Sequence, residues 1–400
     1  MDVLTAIKGH LENEVPTWAK ELVMEALSTY TAPAVSDVPT LSWIAQVMGA
    51  KPIFEMVEQK VPDTGTYEFL IALARSLHDL RSVLSIEDSI AAGQQEAELA
   101  RTIHHCISAA IPQWEVGVEI PQQVRSFHGI FDIPVYYNGV GPNPKVDRII
   151  DLVELCFKID DLAPLTTLLE NLLQIPAKTT VHDRFRVLYK PLVPRLKTTL
   201  TALGQSMALE PFKSFFKNVI SLYLARILGV VPAFPPPTLP NTNIGCGCSH
   251  CEQITPWLSR STAKLTFQAV QQTRTHIEGQ ITKARISHLA RMSTDATGRP
   301  YTLVVNKVPE LEAALVWRDA QKLAEEFIES VADTDATKVI MQDRYQDATD
   351  ALSGVKVFIL GDMRVARRGD IIPGEGILPL VPGAAGATVP VAGVKRKQPS

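Results

Sequence analysis

The stretch VDRIIDLVELCFKI, residues 146–159, carries the pattern on which the fold of this chain depends. Ile149, Leu152, Val153 and Cys156 recur at spacings of three and four residues, which places them on one face of an α-helix. That face has to be buried against a neighbouring element. The segment therefore predicts an amphipathic helix inside a larger helical assembly.

Similar segments follow one another through residues 1–229, separated by Pro, Gly and Asp. Because each predicted helix leads to another of similar length, we expect a mainly α-helical array, either α-solenoid-like or an irregular bundle. The sequence shows no fixed period that would identify a known type of helical repeat. The helices predicted in this region are 41–61, 67–84, 86–111, 146–159, 165–173, 182–203 and 211–228.

A proline-rich linker, residues 230–245, ends the array. Its five prolines remove backbone donors, so neither a helix nor a central strand is expected to run through it. We expect a small α+β module in residues 246–360 and a disordered tail in residues 361–400, where Pro, Gly and Ala are scattered. The module is predicted to contain a long helix at 261–291, a strand at 301–307, a helix at 310–331, a helical stretch at 342–352 and a second strand at 355–360.

Composition limits the class of protein. The chain has 400 residues and a net charge of −4, so any binding of polyanions has to be local. Five cysteines without paired spacing argue against a secreted disulfide framework, and residues 1–15 do not form a signal peptide. The longest apolar stretch, 219–234, is shorter than the roughly 18 residues of a membrane-spanning helix. We therefore expect an intracellular protein.

The segment GCGCSHCE, residues 245–252, is the richest in chemistry. Cys246, Cys248 and Cys251 form a Cys-x-Cys-x-x-Cys motif, and two thiolates on one tight turn can both reach a tetrahedral zinc ion at about 2.3 Å. Gly245 and Gly247 give the backbone the freedom that such a turn needs. This pattern favours a structural zinc site over reduced structural thiols, and favours both over redox chemistry.

The Cys-x-x-Cys pair supplies only half of a zinc site, so other ligands have to come from elsewhere. The candidates are Cys246, His250, His276 and His288. His276 and His288 are separated by about 120° around a helix at 3.6 residues per turn, so they are not expected to serve one ion together. The predicted ligand set is Cys246, Cys248, Cys251 and His276.

No catalytic arrangement is recognised in the sequence. A Gly-rich phosphate loop, a nucleophile elbow and an H-E-x-x-H motif are all missing. The triplet from His276 to Glu278 matches half of an iron-binding facial triad, but side chains at i and i+2 of a helix point in different directions. We therefore name no catalytic residue and do not expect an enzyme.

Positive charge is concentrated between residues 259 and 307, where eight basic and two acidic side chains give a net charge of +6. Such a surface could contact phosphates or an acidic protein, although Phe267 and Tyr301 are the only aromatic residues among the charges. A solvated helix face is the competing interpretation. The candidate contact residues, on a predicted basic helix at 260–291, are Arg274, Lys283, Arg285 and Arg291.

The tail ends with a short basic run, Lys395, Arg396 and Lys397. In a flexible segment this run would be accessible to an import receptor, so it predicts a nuclear or nucleocytoplasmic protein. Short basic runs also occur by chance. The sequence leaves both interpretations open.

Several of these motifs resemble, in their order and spacing, a region of a known group of proteins. The order and spacing of CSHC at 248–251, Trp257, RTHIE at 274–278 and GRPYTLVVNK at 298–307 resemble the C-terminal region of large fungal proteins. Those proteins carry a 2-oxoglutarate/Fe(II) oxygenase domain, similar to prolyl hydroxylases, at their N-terminus. The resemblance spans about residues 146–310 and implies an accessory region. The oxygenase residues have no counterpart in this chain, so their activity is not carried over.

We therefore expect a non-catalytic interaction or scaffold protein with a structural zinc site and protein partners. Two alternatives remain. One is an accessory part of an oxygenase system that acts with a separate catalytic chain. The other is a nucleic-acid-binding module that uses the basic segment 260–291.

Overall fold

A computed structural model describes residues 16–30, 33–64, 66–84, 90–118, 143–177, 179–232 and 244–361. Helices dominate these residues, and a small three-stranded antiparallel sheet lies in the second half of the chain, so the predicted fold class is confirmed. The helices are α1 (Thr17–Thr29), α2 (Val38–Met48), α3 (Lys51–Thr64), α4 (Tyr67–Leu84), α5 (Ile90–Ala110), α6 (Pro144–Lys158), α7 (Ala163–Leu173), α8 (Val181–Arg184), α9 (Lys190–Ala202), α10 (Phe212–Tyr223), α11 (Ile254–Leu258), α12 (Gln271–Lys283), α13 (Pro309–Val331), α14 (Thr334–Met341) and α15 (Tyr345–Leu352). The strands are β1 (Lys264–Gln268), β2 (Ala290–Asp295) and β3 (Thr302–Lys307).

The helices from α1 to α10 share one hydrophobic core. In α6 the predicted stripe is buried, with Ile149, Leu152, Val153 and Cys156 all inside this core. Asn143 caps the helix, because its side chain accepts hydrogen bonds from the first backbone amides. The apolar spacing that predicts the array therefore also explains how its helices are packed.

The sheet and its covering helices form a second, smaller core. The strand order is β1-β3-β2, and both pairings are antiparallel. Along β3, Leu303 and Val305 point to the buried face, where Ile277 and Ile281 of α12 belong to the same core. The opposite face carries Asn306. The sheet is thus covered on one side, as is usual for small antiparallel sheets.

Helix α13 belongs to both cores. Leu311 and Leu315, near its start, are buried in the second core. Phe327 and Val331, near its end, are buried in the first core, where Phe327 stacks on Tyr223 with ring centroids 4.6 Å apart. The predicted unit 246–360 is therefore divided between the two cores at the middle of α13. Helices α14 and α15, which follow, also pack on the helical array.

The local elements after residue 260 differ in part from the prediction. The single helix expected at 261–291 is wrong: this segment contains β1, α12 and β2. Its ends become strands because β3 offers a hydrogen-bonding partner on each side, a long-range gain that helical periodicity does not reveal. The strand expected at 301–307 and the helix expected at 310–331 are confirmed as β3 and α13.

Two further segments need correction. Residues 355–360 do not form the expected strand; Phe358 instead inserts below the guanidinium of Arg344, whose Cζ lies 4.4 Å from the ring centroid. The helix expected at 41–61 is divided into α2 and α3, because Gly49 adopts φ +86°, which ends α2. Most of the linker, residues 233–243, and the tail from residue 362 lie outside the described residues, together with the basic run at 395–397.

Candidate metal centre

The cysteine loop is built by tight local hydrogen bonds. The N–H of Glu252 donates to the carbonyl oxygen of Cys248 at 3.0 Å. This hydrogen bond closes the turn between Cys248 and Cys251. The N–H of Ile244 donates to the hydroxyl of Thr255 at 2.9 Å and fixes the entry to the loop. Cys251 then begins a short 3₁₀ turn that runs into α11. The three thiols are therefore held on one side of a rigid loop.

Gly245 is required by this geometry. Its φ of +107° is unfavourable for other residues, and a Cβ atom placed there would lie 2.2 Å from the Cβ of Cys251. Gly247 also has positive φ, +84°, but open space surrounds it. The two glycines thus have different roles: Gly245 permits a close approach of the chain, and Gly247 only permits the turn.

His276 reaches the loop from α12. Ile277 and Ile281 anchor this helix in the second core, which fixes the position of the imidazole. Its Nε2 lies 3.3 Å from Sγ of Cys246, 3.6 Å from Sγ of Cys248 and 3.5 Å from Sγ of Cys251. In a tetrahedral site with zinc–sulfur bonds near 2.3 Å and zinc–nitrogen bonds near 2.0–2.1 Å, sulfur and nitrogen are about 3.6 Å apart. The observed distances have this size.

The four predicted ligands are thus brought together. One ligand atom from each of Cys246, Cys248, Cys251 and His276 lies within 4.8 Å of all the others. These residues could hold a metal ion that prefers thiolate and imidazole, which zinc does.

The thiols differ in their readiness to ionise. The backbone N–H of Cys251, with further hydrogen bonds from the neighbouring groups, lowers the pKa of Cys248 to about 6. Burial raises the pKa of Cys251 to about 11. Binding of a cation would favour the thiolate form of both, because metal ligands have to be deprotonated.

The other histidines considered as ligands lie elsewhere. His250 packs near Phe267, with ring centroids 6.2 Å apart. His288 is exposed and its Nδ1 is 3.1 Å from the carbonyl oxygen of Arg285. Sequence reasoning did not identify Thr255, because a threonine after a cysteine loop carries no distinguishing signal.

The predicted contact residues for nucleic acid or an acidic partner are dispersed. Arg274, in the first turn of α12, is buried, and its guanidinium lies over the ring of Tyr301 at 5.4 Å. Lys283 and Arg285 are exposed at the other end of α12. Arg291 is exposed on β2, opposite Asn306 on the open face of the sheet. Because Arg274 is buried, the four side chains do not form one exposed surface.

Comparisons of the chain with protein-family models, curated proteins and solved structures find no match. Within the residues that the structure describes, no helix is both long and apolar enough to cross a membrane. The resemblance to the accessory region of oxygenase-bearing proteins stays an expectation from the sequence.

Proposed function

We propose that this chain is a non-catalytic interaction protein whose cysteine-bearing module is held by one structural zinc ion. The observation that carries the proposal is the convergence of Cys246, Cys248, Cys251 and His276 within 4.8 Å. Three thiolates and one imidazole fill all four positions of tetrahedral zinc. A catalytic zinc site keeps one position open for water, so a filled ligand set supports a structural role.

The position of the ion explains what it stabilises. Ile244, at the entry to the cysteine loop, is tied to Thr255, and the loop is tied to α12 through His276. Among the described residues, the second core contains 15 buried hydrophobic side chains. A core of this size gives a small module limited stability, and structural metals commonly add to it.

The interaction role rests on the architecture of the array. Stacked helices form extended surfaces that typically bind other proteins. The zinc module is joined to this array by α13, whose two ends belong to the two cores. We infer that the ion keeps the module folded and so holds it in a defined position beside the binding surface.

Metal analysis of the full-length chain, purified without chelator, tests the metal. We expect one zinc ion per chain, and a tetrahedral thiolate spectrum after replacement with cobalt. Cys248→Ser should remove the bound metal. Cys106→Ala is the matched control, because Cys106 is buried in the array, and it should retain one equivalent. A wild-type chain without stoichiometric metal, but with a folded module, would refute the zinc site.

The interaction role needs a separate experiment. Cross-linking and affinity copurification of the full-length chain should identify a protein partner whose cross-links map to the helical array. The Cys248→Ser variant should retain the array but bind the partner more weakly if the module contributes to the surface. Turnover of a substrate by the pure chain would contradict the non-catalytic role without affecting the zinc measurement.

A further inference from the structure

The N-terminus of α12 has an unusual charge arrangement. Its N-cap residue, Val270, offers no side-chain acceptor, and the first turn contains no acidic residue. The first backbone hydrogen bond of the helix joins the N–H of Arg274 to the carbonyl oxygen of Val270 at 3.1 Å. The amides of Gln271, Gln272 and Thr273 therefore point out of the helix end, where the helix dipole is positive.

A buried arginine adds a second positive charge at the same place. Arg274 is only 6% exposed, and its guanidinium is directed back to the first turn, where it donates to the side-chain oxygen of Gln271. The Nε atom is buried and lacks a hydrogen-bond partner among the described residues. Over the same part of the chain, Arg274 forms no ion pair; its described contacts are Gln271 and the ring of Tyr301.

This arrangement is electrostatically unfavourable. A buried charge is normally paired, and a cation beside a helix N-terminus is repelled by the helix dipole. One anion would relieve both effects, since it could accept hydrogen bonds from the free amides and pair with the guanidinium. A second arginine, the exposed Arg299, lies two residues before Tyr301 in the chain.

We propose that the N-terminal turn of α12, with Arg274, binds a phosphate-class tetrahedral oxyanion. The turn is open to solvent, because the residues at its start and the ring beside the guanidinium are exposed. Tyr301 is 38% exposed, Val270 is 63% exposed, and the side chain of Gln271 lies at the surface. The site is distinct from the metal centre, because His276 is directed to the cysteine loop.

Inorganic phosphate is the probe for this site. In a TROSY titration of the full-length chain at constant ionic strength, the amide signals of residues 271–273 should shift and saturate, with a dissociation constant on the order of 1 mM. Sulfate should produce the same shifts, and acetate should bind at least tenfold more weakly. Equal binding of acetate would overturn the preference for a tetrahedral oxyanion. Shifts that do not saturate, or that are spread over the whole chain, would overturn the site.

Two charge variants separate anion binding from a packing role of Arg274. Gln272→Glu places a carboxylate in the first turn, so it should weaken phosphate binding at least tenfold and raise the Tm by about 1–3 °C. Gln280→Glu is the matched control near the other end of α12; it should leave phosphate binding unchanged and not raise the Tm. If both variants behave alike, or if Gln272→Glu binds phosphate as well as the wild-type chain, the proposal is wrong.

Discussion

Nε2 of His276 lies 3.3 Å from Sγ of Cys246, although 30 residues separate them in the chain. The contact joins the cysteine loop to the middle of α12, so it closes a loop that contains α11 and β1. A metal ion bound at this point would stabilise the module, because it binds the folded ligand set and not the unfolded chain. The consequences of this contact can be measured.

Replacement of the histidine tests the ligand set. His276→Ala should weaken zinc binding and lower the stability of the module, because one of the four ligands is lost. His288→Ala is the control, since His288 is exposed and only approaches the carbonyl oxygen of Arg285. Competition with a chromogenic chelator measures the affinity. Equal affinities in the two variants would exclude His276 as a ligand.

The two glycines of the loop provide a second test. Gly245→Ala should disrupt the cysteine loop and sharply reduce zinc binding, because the added Cβ would lie 2.2 Å from the Cβ of Cys251. Gly247→Ala has only the strain of a positive φ, about 1 kcal/mol, because open space surrounds it. Zinc stoichiometry and thermal unfolding of both variants give the comparison. A larger defect in Gly247→Ala would show that the loop is built differently.

Thiol labelling should separate the two buried cysteines of the helical array from the two accessible cysteines of the loop. Burial raises the pKa of Cys106 and of Cys156 to about 12, so neither should react in the native chain at pH 7.5. After chelation, Cys246 and Cys248 should react rapidly, since both are accessible and the pKa of Cys248 is lowered to about 6. Added zinc should protect them. Mass spectrometry of labelled peptides measures each site, and rapid labelling of Cys106 would contradict the described core.

The two ends of α13 should report on different cores. Phe327→Ala should destabilise the helical array by about 3–5 kcal/mol, because the ring is buried against Tyr223. Leu315→Ala should destabilise the sheet module by about 2–5 kcal/mol. Hydrogen exchange followed by mass spectrometry locates each effect. If both substitutions expose the same peptides, the two cores unfold as one unit.

The buried Lys307 should make the free energy of unfolding depend on pH. The ammonium is buried over the ring of Trp257, 4.1 Å from its centroid, and burial lowers its pKa from 10.5 to about 8. Between pH 8 and 10.5 the unfolded chain therefore holds a proton that the folded chain has lost, so the free energy of unfolding should gain a contribution that rises with pH. Below pH 8 both states are protonated and this contribution is constant.

Lys307→Met is the control for this effect, because methionine keeps an apolar chain in the same place without a titrating group. Denaturant unfolding at pH 7.5 and at pH 10 should show wild-type stability increasing relative to the variant. A difference between the two proteins that stays constant, or falls with pH, would contradict the lowered pKa.

The sequence predicts much of the site because its signals are local. Cys246, Cys248 and Cys251 are close in sequence, and their spacing favours a metal centre over reduced structural thiols. The stripe of α6 is also local, since helical spacing decides which side chains share a face. The geometry brings His276 to the thiols and leaves His288 beside the carbonyl oxygen of Arg285. The angle expected between the two histidines on one helix does not apply, because α12 ends at Lys283.

Tertiary structure decided the remaining features. Residues 264–268 and 290–295 become strands because β3 lies between them, and a hydrogen-bond ladder depends on partners that are distant in sequence. The burial of Arg274 and the division of α13 between two cores also depend on which elements meet. Periodicity and spacing thus determined the helices and the ligand types of this protein, whereas its strand pairing and its buried charge follow from contacts between distant segments.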